Sequence, residues 1–402
     1  MSRQFIDDAG AVLNLDRLAQ VHRFYQTHAE HISSPEFAYA EALIRYLHAS
    51  ISGLEDAVTR GRPHTALACL EIADPPRSSE ARTAFALVQG KFWSLVDRDM
   101  ARASFRQAID SDDAGHITSF FVDTGVHTYF SEKEICKAEP KLSIDMVTQT
   151  IEPLSDGSAH VSRQTIACAM DPMFFRTYAP LLFFHAQHLP DLDFVVILCA
   201  DPSEVAKCVH DGAKLAAVLS DFSGLTPSKN VKFWQAPVPS FVMEDKTFYA
   251  SARFFAASRL LEHYERVYLM DADLTLTRDP RPYMEANSSP PFASSARTRG
   301  LAGLSPWRRF TAGSIILDTR SIDSGILEDL HNYLLVGLQR GDSWMLDQNA
   351  LSFAIERHLE IWGGLENRPA MQPSIRSIWE RNIRALSASR AARTSADSGF
   401  PI

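Results

Sequence analysis

The chain has few cysteines and no long uncharged apolar run. Its 402 residues contain five cysteines, and none of them shows CxxC spacing, so we expect reduced and mostly buried thiols. No stretch of about 18 apolar residues without charge occurs, and acids stand near the N-terminus where a secretory signal would need an apolar centre. These absences predict a cytoplasmic chain without a transmembrane segment.

An excess of basic residues is also missing. Lys and Arg number 40 against 49 Asp and Glu, which gives a formal net charge of −9. A general nucleic-acid-binding protein would normally show a basic face, so we expect no nucleic-acid partner. The 46% apolar content is ample for a packed core, and the length suits one large domain and a smaller one.

Four regions can be distinguished along the chain. Residues 1–112 combine helix-forming residues with almost no strand pattern, which predicts an all-helical accessory domain. Within it, residues 84–109 resemble one tetratricopeptide-type helical hairpin without a convincing second copy, which favours a plain accessory domain over a peptide-binding array. A protein partner could bind through this domain. Residues 113–160 are irregular and are interpreted as a linker, residues 161–385 as an α/β domain, and residues 386–402 as a disordered tail.

Strands and helices alternate in the third region. Gln164–Met170 reads as a strand, residues 174–188 as a helix and residues 194–200 as a second strand, followed by another helix and a strand near residue 231. This alternation predicts a mostly parallel sheet covered on both faces. In such sheets ligands bind at the carboxyl ends of the strands.

The most informative motif follows the apolar run Val267-Tyr268-Leu269-Met270, which ends abruptly in Asp271-Ala272-Asp273. Side chains alternate along an extended chain, so we expect Asp271 and Asp273 to share a face. Together they could hold one hard cation or meet the ribose and diphosphate of a nucleotide. The plainer alternative is a solvated turn, because Asp is a common turn residue.

The helix over residues 249–261, the segment ERVYLMDADLTLTRDP and the later FTAGSIILDT and LDQNAL segments resemble nucleotide-diphospho-sugar transferases of the GT-A fold, especially the family 8-like group. The resemblance covers residues 164–365, about half of the chain. It implies a Rossmann-like GT-A catalytic domain that transfers a sugar from a UDP-sugar donor. It also implies Mn²⁺ or Mg²⁺ held by Asp271 and Asp273, and a glycan, lipid-linked or protein acceptor.

The same resemblance assigns further residues to the site. On the nucleotide side it implies backbone contacts to base and ribose at Ala169, Met170 and Asp171, with Arg253 adding a positive charge; the alternative for Arg253 is a solvated helix face. On the sugar side it implies that Ala312 and Gly313 let the donor approach the backbone, although Thr311 replaces the family's usual Asn. Asp347 and Gln348 would contact the sugar or lie near its anomeric carbon; the alternative for Asp347 is an ordinary helix cap.

The chain departs from family 8 in its last third. The family uses a late histidine as a third metal ligand, whereas the last histidine here, His358, falls inside a predicted helix. Residues 362–364 and the Gln372-Pro373 pair are predicted as loops, and Ser305-Pro306-Trp307-Arg308-Arg309-Phe310 as a surface loop. The third metal ligand is therefore not identified.

Two other functions fit the motif. Asp271-Ala272-Asp273-Leu274-Thr275 also matches the signature of haloacid-dehalogenase-like phosphohydrolases, in which Asp271 would be the nucleophile and Asp273 the general acid/base. In those enzymes the motif lies on an early strand, whereas here a full strand-helix-strand unit precedes it. A non-catalytic helical adaptor with a degenerate transferase domain is the other alternative, and the presence of both acids is evidence against it.

Overall fold

The computed structural model describes residues 79–94, 97–113, 115–119, 123–136, 144–154, 162–276, 278–296, 305–341, 344–365 and 371–373. Most of the predicted helical domain and the whole predicted tail therefore lie outside the described residues, as does Cys69. The four described cysteines are free thiols; three of them are buried and Cys136 is exposed. No helix in the described part is long and apolar enough to cross a membrane.

Helices come first along the described chain. The helices are α1 (Ser79–Trp93), α2 (Arg98–Asp110), α3 (His116–Ser119), α4 (Glu132–Cys136), α5 (Asp145–Thr148), α6 (Pro172–His188), α7 (Pro202–Ser223), α8 (Asp245–Leu260), α9 (Arg281–Ala286), α10 (Pro306–Arg309), α11 (Arg320–Asp323), α12 (Ile326–Arg340) and α13 (Leu346–Arg357), with a 3-10 turn at Thr124–Val126. The strands are β1 (Glu152–Pro153), β2 (Gln164–Met170), β3 (Asp193–Leu198), β4 (Val231–Gln235), β5 (Arg266–Met270), β6 (Leu274–Leu276), β7 (Phe292–Ala296), β8 (Phe310–Asp318), β9 (Trp362–Gly364) and β10 (Met371–Pro373).

Eight of these strands form one sheet in the order β1-β4-β3-β2-β5-β8-β7-β9. β4, β3, β2 and β5 are mutually parallel, and β7 and β9 run in the same direction, while β1 and β8 run against them. The remaining two strands, β6 and β10, form a separate antiparallel pair. The predicted α/β class with a mostly parallel sheet is confirmed.

The sheet is covered on both faces, as its almost continuously apolar strands require. Alternate residues of β2 enter two different cores: Ala167 and Ala169 face α8, α12 and α13, whereas Ile166 and Cys168 face α6 and α7. This period-two division follows from the pleat of the strand. It fixes both helical layers and leaves the strand ends open at the edge of the sheet.

The helical hairpin α1–α2 packs directly on the α/β part. Gly90 of α1 lies so close to Phe105 of α2 that a Cβ there would overlap the ring. Phe105 also meets the Trp307 indole with ring centroids 5.3 Å apart. The segment 305–310, predicted as a surface loop, instead contains α10 with Trp307 fully buried, because this ring fills the junction between hairpin and sheet domain.

The irregular region between hairpin and sheet contributes to the fold. β1 pairs antiparallel with β4 and extends the sheet, and Phe130, Ile135 and Val147 enter the core on the α8 face. The domain boundaries at residues 112 and 160 stay predictions. Two loop predictions were wrong: Trp362–Gly364 forms β9 beside β7, and Met371–Pro373 forms β10 beside β6, because each finds an unpaired strand edge.

Candidate active site

The candidate site lies where the order of the parallel strands reverses. The chain builds β2, β3 and β4 in one direction across the sheet and then places β5 on the other side of β2. In open α/β sheets the crevice outside the carboxyl ends at such a switch point is the usual place for a ligand. Asp171 follows β2 and Asp271 follows β5, so both lie at this crevice.

Asp271-Ala272-Asp273 forms a turn and not an extension of the strand. β5 ends at Met270, and the Leu274 amide donates a hydrogen bond to the Asp271 carbonyl over 3.2 Å. The predicted sharing of one strand face by Asp271 and Asp273 was therefore wrong, since period-two alternation stops where the extended backbone stops. The turn still keeps the two carboxylates close enough for each other's charge to matter.

The absence of a side chain at Gly313 makes room for the Asp271 carboxylate. It lies on β8, which runs antiparallel beside β5, and its carbonyl accepts a hydrogen bond from the Asp271 amide over 3.3 Å. A Cβ at position 313 would overlap the Asp271 carboxylate. The small residue at this position thus directly accommodates a carboxylate of the chain itself.

Arg253, on α8, is the buried cation of the site. Only 4% of it is exposed, and its guanidinium lies 2.8 Å from an Asp271 carboxylate oxygen and 3.6 Å from one of Asp347. It also donates to the Ala312 carbonyl over 3.3 Å, while its Nε has no hydrogen-bond partner among the described residues. These contacts exclude the solvated-face alternative for Arg253.

Asp347 reaches Arg253 from the first turn of α13. The helix is preceded by Met345 with φ 63° and ψ 19°, so Met345, not Asp347, is the N-cap residue. One Asp347 carboxylate oxygen accepts a hydrogen bond from the Gln348 amide over 2.8 Å, and the other faces Arg253. The cap alternative for Asp347 was wrong, because Met345 occupies the N-cap position and Asp347 is already the second residue of α13.

The charges of this cluster do not balance. Arg253 pairs with two aspartates, Asp271 and Asp347, and a third, Asp273, lies near enough to feel its charge and that of Asp271. Desolvation and then the charge of Asp271 raise the pKa of Asp273. Desolvation also raises the pKa of Asp347, with the Asp271 charge adding to the effect and Arg253 opposing it. Burial is the larger cause of both shifts and the Asp271 charge adds to each, so a bound cation would favour the ionised forms of Asp273 and Asp347.

The end of β2 has a different local role. Ala169 and Met170 are buried within the strand, and the Asp171 carboxylate accepts a hydrogen bond from the Phe174 amide over 2.6 Å. Asp171 is therefore the N-cap of α6, with Pro172 in the first turn. The Asp-Pro pair could have revealed this in the sequence, because it is a common helix start.

Metal coordination can be tested against the available donors. No group of three or more His, Cys, Asp or Glu residues suited to a metal occurs in the described part of the chain. Mg²⁺ and ions like it are usually held by one or two carboxylates together with substrate phosphates and water. Asp271 and Asp273 supply that number of oxygen ligands, so the residues fit a cation shared with a diphosphate. His358 is not part of this cluster; its ring pairs with Asp329 over 2.9 Å.

No family model and no curated protein matches this chain. Similar solved structures include mouse xyloside xylosyltransferase 1, with 12% identity, a TM-score of 0.34, and coverage of 51% of this chain and 85% of that one. GlyE of Streptococcus pneumoniae shows 14% identity and a TM-score of 0.33 over 51% of this chain and 45% of its own. The galactosyltransferase LgtC, solved with donor and acceptor sugar analogues, shows 14% identity and a TM-score of 0.32 over 50% and 72%. Similarity at this level identifies no family for the chain.

Proposed function

We propose that this chain is a metal-dependent glycosyltransferase that moves a sugar from a nucleotide-diphosphate sugar, with UDP-sugar as the expected donor. The observation that carries the proposal is the buried Arg253 paired with Asp271 and Asp347, with Asp273 close by, at the switch-point crevice. A site with surplus negative charge and one fixed cation suits a divalent ion and its anionic ligand. The structures to which the chain is similar are also named as glycosyltransferases.

Breaking the bond between sugar and diphosphate leaves negative charge on the departing diphosphate. A divalent cation supplies the neutralising charge when it is bound. Asp271 and Asp273 would hold it. The ion pair with Arg253 would orient the Asp271 carboxylate, for which Gly313 leaves room. The position of Arg253 would also add positive potential near the diphosphate.

The remaining residues would orient the donor. Asp347, which faces Arg253, and Gln348 lie in the first turn of α13, where they would contact sugar hydroxyls. The backbone at Ala169, Met170 and Asp171 borders the crevice at the end of β2, where base and ribose would lie. The acceptor would be a glycan, a lipid-linked intermediate or a protein.

The test is calorimetric titration of UDP, followed by a panel of UDP-sugars and GDP-sugars, with and without Mn²⁺. We expect Mn²⁺-dependent binding to the wild type and loss of binding in Asp273→Ala. The matched control is Asp279→Ala, which removes a nearby acid that pairs with Arg281 outside the cluster, and it should bind like the wild type. Absence of nucleotide binding to the wild type, together with phosphate release from 4-nitrophenyl phosphate, would favour the phosphohydrolase alternative instead.

A further inference from the structure

Met345 is the one described non-glycine residue with positive φ. Its φ of 63° lies in the left-handed region, which side chains disfavour, and it stands two residues before Asp347. Such a conformation persists only where surrounding contacts enforce it, and strained positions of this kind cluster at functional sites. The contacts that enforce it here come from a distant part of the chain.

Two buried polar side chains hold the backbone on either side of Met345. The Thr128 hydroxyl donates to the Trp344 carbonyl over 3.0 Å, just before Met345. The Asn349 side-chain amide donates to the Gly125 carbonyl over 2.8 Å and to the Thr128 hydroxyl over 2.9 Å, just after Asp347. Thr128 is 1% exposed and Asn349 is fully buried, so water cannot replace these bonds. We call Thr128, Asn349 and their partner carbonyls the turn latch.

The segment that carries Thr128 is itself rigidly packed. Gly125 lies directly against Trp307, where a Cβ would overlap the indole, and Tyr129 packs edge-on against Phe105 of α2 at 4.9 Å between centroids. The Tyr333 hydroxyl donates to the Thr128 carbonyl over 2.7 Å. The helical hairpin, through this segment, is therefore continuous with the turn that precedes α13.

We propose that Thr128 and Asn349 are positioning residues for Asp347 and Gln348. The segment that contains Thr128 would thereby determine the orientation of the two residues that contact the donor sugar. The inference rests on the proposed function and deepens it. Neither residue touches the predicted donor site. Both act on the strained turn that aims the Asp347 carboxylate at Arg253, and a small displacement of such a group is enough to lower the rate strongly.

The test compares Thr128→Val, which keeps the shape and removes the hydroxyl, with Thr128→Ser, which keeps the hydroxyl. Calorimetry with UDP and with UDP-glucose or whichever UDP-sugar binds the wild type separates nucleotide from sugar recognition. In Thr128→Val we expect unchanged UDP affinity and a loss of about tenfold in the extra affinity that the sugar supplies. Thr128→Ser should restore it. Thr148→Val is the matched control, since it removes a buried hydroxyl that bonds only to Ile144 within its own helix.

Hydrogen exchange supplies a readout that does not depend on a donor. The amides of residues 344–350 should exchange faster in Thr128→Val, and in Asn349→Ala as a second variant, while those of β2 and β5 stay protected. Unchanged exchange at 344–350 would overturn the turn latch. Faster exchange at 344–350 with an unchanged ratio of UDP-sugar to UDP affinity would mean that Thr128 only stabilises the turn, and would overturn its role as a positioning residue. A wild type that binds no UDP would instead overturn the proposed function, and with it the sugar-holding part of this inference.

Discussion

Two ion clusters of this chain are opposite in charge. At the sheet edge one arginine, Arg253, pairs with two aspartates, Asp271 and Asp347, and Asp273 lies nearby. At the hairpin junction one glutamate, Glu134, is shared among three arginines. Arg106 and Arg340 of the second cluster keep 59% and 39% of their side chains exposed, and Asp271 of the first keeps 40%, so water stabilises part of the surplus charge in both.

The pKa values follow this difference. Although burial works to raise it, the Ser131 amide and the Arg102 guanidinium lower the pKa of Glu134 to about 2. At the sheet edge the pKa values of Asp273 and Asp347 are raised instead. The ionised form of Glu134 is therefore stabilised by its partners, whereas the ionised forms of Asp273 and Asp347 are not, as the proposed cation site requires. We infer from this comparison that carboxylates with raised pKa values are better candidates for a functional site than carboxylates that are fully paired.

Gly313→Ala should break the site cluster with the largest effect. The added methyl overlaps the Asp271 carboxylate and must displace it from Arg253, so we expect about a hundredfold loss of transfer and of Mn²⁺-dependent nucleotide binding. The measurement is kcat/KM with the donor identified by calorimetry. Gly364→Ala is the control, because its Cβ would meet only one atom, at 3.9 Å. Full activity of Gly313→Ala would show that the placement of Asp271 does not matter.

Glu134→Gln should break the junction cluster and leave the site intact. We expect the free energy of unfolding at pH 7 to fall by about 2 kcal/mol, because charge-assisted hydrogen bonds to three arginines are lost, with kcat within twofold of wild type. Because the folded-state pKa is depressed, the contribution is present above the ordinary value of 4.5 and is lost as the pH falls through about 2.

Urea unfolding monitored by circular dichroism measures this change. Glu262→Gln is the matched control, since Glu262 forms an exposed pair with Arg259 and should change stability only by tenths of a kcal/mol. A large loss of kcat in Glu134→Gln without loss of stability would contradict the division between a structural and a functional cluster.

Asp273→Asn should give the smallest effect of the three variants, and it should raise the free energy of unfolding where Glu134→Gln lowers it. A carboxyl whose folded-state pKa is raised makes stability fall as the pH rises through that pKa, so the ionised Asp273 destabilises the cation-free protein at neutral pH. We expect Asp273→Asn to gain less than about 1 kcal/mol at pH 7 without divalent cations, and the gain to shrink as the pH approaches about 4. Thermal unfolding in EDTA measures it, and a lower midpoint for the variant at pH 7 would mean that the fold stabilises the ionised form.

The two acids also differ in what their removal does to the fold. Asp271 is the nearest partner of a guanidinium that is only 4% exposed, so Asp271→Ala leaves a buried charge poorly paired, which is costly. Asp273 lies on the solvent side of the turn. From the sequence, both acids lie at a strand end outside the packed core, and we would expect either to be removable without cost to the fold; the structure supports this for Asp273 alone.

Local patterns in the sequence were sufficient for much of the fold. The runs Gln164–Met170 and Val267–Met270 predicted β2 and β5, and the Asp-x-Asp that follows β5 marked the sheet edge of the candidate site. The helix predicted over residues 249–261 is α8 (Asp245–Leu260), because helical periodicity and terminal residues are local properties. The short strands β9 and β10 were missed because three residues without alternation become a strand only when an open edge accepts them.

The sequence by itself determined that Asp271 and Asp273 follow a buried strand of an α/β sheet, because the apolar run and the abrupt change to charged residues are local features of the sequence. Only the tertiary structure decided that Arg253 is buried between Asp271 and Asp347, that Gly313 makes room for a carboxylate, and that Thr128 reaches the turn before α13. Those contacts join residues separated by tens to hundreds of positions. Local propensity carries no information about them, because they depend on strand order and on how the layers pack.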